Sequence, residues 1–124
     1  MRVAVLINIE SNDHEKVHSL MIGVFSQAYL RKEVFIAFSD NAVNPEVHKV
    51  IAAARDQKVV PIHMVNLKDG LRRKVNHFTK RLALLRHAFE QGFDAFAFAE
   101  VGTIWKPSKL SVCIERLSSF RIEH

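Results

Sequence analysis

The chain has 124 residues, 48% hydrophobic and 25% charged, which suffices for one core and predicts a single domain over residues 1–124. Its net charge of +5 favours anionic partners, such as nucleotide phosphates, nucleic acid or acidic lipid heads, without choosing among them. A lone cysteine, Cys113, excludes a disulfide framework and a thiolate metal cluster, and no apolar run approaches the roughly 20 residues of a transmembrane helix, so a cytoplasmic protein is expected.

Arg2 to Ile9 is a β-branched run suited to a strand buried on both faces, too short and without the cleavage site of a signal peptide. Glu10 to Asp13 breaks that pattern and offers helix caps. From Asp13 to Lys32, Val17, Leu20, Met21, Val24, Phe25 and Ala28 recur at three- and four-residue spacing and predict an amphipathic helix. Val34 to Phe38 is the second strand. Asn44 is placed to cap a helix with Pro45 at its first position, and Val47, Val50, Ile51 and Ala54 give that helix its buried face. Val59 to Val65 is the third strand, with Pro61 pointing to an edge or an irregular start.

Leu71, Val75, Phe78, Leu82, Leu85 and Phe89 form the most regular stripe in the chain and predict a long helix stopped by Gly92. Ala95 to Ala99 follows as a strand expected to be buried, because Phe96 and Phe98 alternate with alanine. A last helix is expected from Pro107 to Phe120, with Leu110, Cys113, Ile114 and Leu117 inward. The alternation of strand and helix predicts an α/β fold with a mostly parallel sheet and helices on both faces.

Open α/β sheets bind ligands just past the carboxyl ends of their strands. After the strand Ala95 to Ala99 those residues are Glu100, Thr103 and Trp105. The stretch Glu100-Val101-Gly102-Thr103-Ile104-Trp105-Lys106-Pro107-Ser108-Lys109-Leu110 resembles a motif of the family 2 glycosyltransferases, which have the GT-A nucleotide-sugar fold. There an apolar strand ends in Asp-x-Asp-Asp, then an apolar residue, Trp, x, Pro, x, Lys-Leu. Other segments are similar to the family in order and spacing. They are the opening MRVAVLINIESN, Val24 to Gln27, Glu33 to Asp40, the loop with Asn66 and Gly70, and the helix holding Lys80, Arg81 and Ala83 to Gly92.

The resemblance implies a truncated GT-A-like, Rossmann-like domain that binds a nucleotide or nucleotide-sugar. By position, Asp40 would contact the nucleoside, Glu10 and Ser11 would line the base pocket, Arg81 would lie near the diphosphate, and Glu100 would lie near the ribose. Trp105 is a candidate sugar or base contact. The family's metal, Mn²⁺ or Mg²⁺, needs hard oxygen ligands, and Gly102 stands where its second aspartate would be. Glu100 and Thr103 are the metal-ligand candidates that remain. Arg72, Arg73, Lys74, Lys80 and Arg81 form the most cationic part of the chain and are candidates to neutralise the diphosphate instead, or else a solvated helix face. In the family the acceptor site and catalytic base lie on strands beyond the metal motif. The resemblance therefore names no catalytic base here and calls for a partner protein or a second copy to supply the acceptor side.

Two other readings compete. His14-Glu15-Lys16-Val17-His18 spells the H-E-x-x-H of zinc proteases, but Lys16 places a charge where such helices have none, and no downstream ligand completes the signature. A degenerate relative that binds nucleic acid or a partner protein is the stronger alternative, because Arg73, His77, Lys80 and His87 fall on one strip opposite the apolar stripe of the long helix.

Overall fold

The computed structural model describes residues 2–29, 31–39, 44–66, 77–103 and 105–113. Its elements are β1 (Val3–Ile9), α1 (His14–Phe25), β2 (Lys32–Phe38), α2 (Pro45–Asp56), β3 (Ile62–Met64), α3 (His77–Glu90) and β4 (Ala95–Phe98), and residues 109–113 are helical again. The described strands form one sheet in the order β3-β2-β1-β4 with every pair parallel. β1 is central and all seven of its residues are buried, as expected of a strand covered on both faces.

The two-residue period of β1 sorts the core into two layers. Val3, Val5, Ile7 and Ile9 pack with Val17, Leu20, Met21 and Val24 of α1 and Val47, Ile51 and Ala54 of α2. Ala4 and Leu6 point the other way, where Phe35 and Ala37 of β2, Phe93, and Leu84 and Ala88 of α3 cover them. Helices therefore lie on both faces of the sheet.

The caps follow from residue type. Asp13 accepts from the backbone N–H groups of Glu15 and Lys16 at the start of α1, and Asn44 accepts from Glu46 ahead of Pro45 in α2. The backbone N–H of Gly92 donates to the Phe89 carbonyl at 3.0 Å, and its φ of +86° turns the chain out of α3.

Several expectations need correction. α1 ends at Phe25, well short of Lys32. The buried Gln27 side chain takes over the connection by donating to the carbonyls of Gly23 (3.1 Å) and Lys106 (2.7 Å) and accepting from the Leu110 N–H (2.9 Å). Lys32 instead opens β2. Its ammonium donates to the carbonyls of Gln27 and Tyr29, and burial pulls its pKa below the ordinary lysine value.

β3 is shorter than expected and lies at an edge, with exposed Pro61 just before it. β4 forms the opposite edge, so Phe98 is partly exposed rather than enclosed. The stripe assigned to α3 is turned on its axis: Leu84, Leu85 and Ala88 face the sheet, whereas Leu82 and Phe89 are 50% and 65% exposed. The sheet face already carries Phe35, Leu6 and Phe93, and close packing against such bulk selects the smaller Leu84 and Ala88 over a phenylalanine. Cys113 is exposed, not inward, while Leu110 is buried as expected. The expected helix start at Leu71 and the positions of Gly70, Ile114, Leu117 and Phe120 lie outside the described residues. Among the described residues no helix is long and apolar enough to cross a membrane.

Candidate functional site at the carboxyl ends of the strands

In a parallel sheet all carboxyl ends fall on one side. Here they bring Glu10 after β1, Ser39 after β2 and Glu100 after β4 onto adjacent strands. Asn8 stands beside Ala37, and Leu6 stands beside Phe98. Continuing the alternation of Ala4 and Leu6, Asn8 and Glu10 belong to the α3 side of the sheet, as do Ser39 after Phe35 and Ala37, and Glu100 after Phe96 and Phe98.

α3 runs back across this face and carries Arg81 at the head of its inward positions, three, four and seven residues before Leu84, Leu85 and Ala88. Arg81 forms an ion pair with Glu100, and its guanidinium carbon lies 5.5 Å from the centre of the Phe98 ring. Lys80 places its ammonium 3.8 Å from Glu10, whose carboxylate also accepts from the Asn8 side-chain amide at 3.3 Å. Two carboxylates and two cations thus meet at the ends of β1 and β4.

Two polar atoms beneath them have no hydrogen-bond partner among the described residues: Asn8 Oδ1 and Ser39 Oγ. A buried polar atom left without a partner costs roughly 1–3 kcal/mol. Neither was singled out from sequence, although Asn8 is the one polar residue within the run Val3 to Ile9.

The loop after β4 is tightly built. Glu100 O accepts from the Thr103 N–H at 3.2 Å and from Thr103 Oγ1 at 2.6 Å, and Gly102 takes a φ of +99°. Beyond it Trp105 is 5% exposed and packs in the α1–α2 layer with Leu110. A Cβ on Gly23 of α1 would come 3.6 Å from Trp105 Cβ. The residue thus anchors the loop into the core, and the Lys109 ammonium lies over the ring, 4.6 Å from its centre. A sugar or base contact by Trp105 would need that cover removed.

The remaining sequence candidates are placed as follows. Ser11 is half-buried and accepts from the Asp13 N–H at 3.0 Å in the loop after β1. Asp40, Arg72, Arg73 and Lys74 lie outside the described residues. Of the strip read as a phosphate track, the Lys80 side chain is 22% exposed and His87 packs edge-on against Phe35 at 5.8 Å. His14, Glu15 and His18 are exposed on α1.

Among the described residues, the donors at the end of β4 are not set out to hold a divalent metal. Gly102 offers no side chain, Thr103 Oγ1 is engaged as a donor to the Glu100 carbonyl, and the Glu100 carboxylate is paired with Arg81. Among the described residues no three His, Cys, Asp or Glu side chains are grouped to hold a metal ion. The groove between α1 and α2, lined by Met21, Ile22, Phe25, Lys49, Val50 and Ala53, lies against the opposite layer and shares no residue with this site.

No family model matches the chain, and no curated protein does. Solved structures do. S. aureus TarS 1–349 in complex with UDP superposes with a TM-score of 0.68 at 12% identity, covering 96% of this chain and 32% of that one. A second structure of S. aureus TarS 1–349 gives 0.67 at 11% identity, covering 96% and 33%. The chain thus spans about a third of the length of these structures. The likeness shows a shared α/β fold.

Proposed function

We propose that this chain binds a nucleotide or nucleotide-sugar at the carboxyl ends of β1, β2 and β4, as the nucleotide-binding part of a protein related to the family 2 glycosyltransferases. The observation that carries the proposal is the placement of Lys80 and Arg81. α3 delivers both cations to the strand ends where sheets of this type take ligands, and a guanidinium matches the geometry of phosphate oxygens. The fold likeness to a protein solved with UDP supports the same reading. Glu10 and Ser11 are assigned to the nucleoside side with Asp40, Glu100 to the ribose, and Arg81 to the diphosphate. Sugar transfer belongs to the proposal only where the remaining surfaces of such an enzyme are supplied, by further chain, by a partner or by a second copy.

Calorimetric titration with UDP, GDP, CDP and dTDP and their common sugars tests the proposal. Saturable binding of at least one is expected, with Asp40→Ala weakening it about tenfold or more, as for loss of a hydrogen bond to a charged group. A folded protein that binds none of them contradicts it.

A further inference from the structure

We infer that the chain takes the diphosphate of its nucleotide without a divalent metal, using the side chains of Arg81 and Lys80 as the cations. This rests on the nucleotide-binding reading above and concerns how the charge of the ligand is met.

A divalent ion at the end of β4 would need carboxylates aimed at one point. Instead the turn after β4 has been given to other uses. Gly102 sits at φ +99°, a conformation strained for any residue with a Cβ, so the turn itself favours glycine over aspartate. Thr103 closes the turn through its hydroxyl. Glu100, the carboxylate that remains, meets Arg81. A metal placed beside Glu100 would bring its charge against that guanidinium, and Arg81 would have to withdraw from the inward side of α3.

The same arrangement serves an anion directly. Arg81 is held over Phe98 with its side chain 29% exposed, and Lys80 stands next to it above Glu10. Partly desolvated cations gain more from a phosphate than exposed ones, because screening by water and salt is weaker. Phosphate oxygens would exchange for the carboxylates of Glu100 and Glu10 on these cations. No covalent bond is made or broken, and a diphosphate brings more charge than either carboxylate.

The test is calorimetry of the tightest-binding nucleoside diphosphate in EDTA and again in excess Mg²⁺ or Mn²⁺, with the unmodified chain, Arg81→Gln and Lys80→Ala. Circular dichroism establishes that each variant folds. The expected result is an affinity that agrees within about twofold between the buffers and falls roughly tenfold or more in Arg81→Gln, the loss of a charge-assisted hydrogen bond. Lys80→Ala should weaken binding and flatten its salt dependence even if Arg81→Gln does not fold. Binding that appears only with metal, or tightens well beyond twofold with it, overturns this inference and leaves the nucleotide reading standing. Absence of binding in both buffers overturns both.

Discussion

At the scale of single residues, Gln27 shows how a side chain positions a site it does not enter. Its amide is 3% exposed and ties the end of α1 to both Lys106 and Leu110, so the chain after β4 is held against α1 from the far side of Trp105. Leucine at this position would keep the volume but leave the Leu110 N–H and the Lys106 carbonyl without those bonds. Gln27→Leu is therefore expected to lower stability by about 1–3 kcal/mol, read as a lower urea midpoint at unchanged m-value. An unchanged midpoint would show that the clamp is dispensable. The segment Val24 to Gln27 was recognisable in the sequence as similar to a family pattern, but its role was not. The partners of Gln27 lie 79 and 83 residues away, and no local pattern reports a hydrogen bond across that separation.

At the scale of elements, the amino ends of the strands hold a polar row opposite to the candidate site. Glu33 of β2 accepts from Arg2 at 2.8 Å and lies 2.8 Å from the His63 ring of β3. Burial works to raise the Glu33 pKa, but the hydrogen bonds from Arg2 and His63, together with their charges, outweigh it and hold the carboxyl below its ordinary value. A carboxylate with a depressed folded pKa stabilises fully above its unfolded pKa and loses that contribution as pH falls through the folded one. Stability should thus decline on the acid side of the usual glutamate range, and Glu33→Gln should flatten that decline in urea titrations at a series of pH values. An identical acid slope in the variant would show that the row does not contribute to acid stability. Period and capping made β1, β2, α1 and α2 legible, because each has a strongly buried face of its own. α3 and β4 were misjudged for a shared reason. Which face a helix turns inward depends on the bulk already on the sheet, and whether a strand is central or at an edge depends on sheet order. Neither is local information.

At the scale of the molecule, parallel pairing gathers residues far apart in sequence into one row. Glu10, Ser39 and Glu100 follow three different strands, and Lys80 and Arg81 reach two of those ends from α3. The sequence resemblance assigned Glu10, Arg81 and Glu100 to one ligand; in the fold Arg81 pairs with Glu100, and Lys80 lies 3.8 Å from Glu10. It did not indicate Asn8 or Ser39, whose burial follows only from the pairing of the strands. Nor could it show that Arg81 and Glu100 satisfy each other in the free protein. Amide chemical-shift mapping during titration with a nucleoside diphosphate tests where on the molecule the ligand sits. The shifts should concentrate at Asn8 to Ser11, at Ser39, at Lys80 and Arg81, and at Glu100 to Thr103. Shifts confined to the α1–α2 groove around Ile22 and Val50, or none in a folded protein, would contradict it.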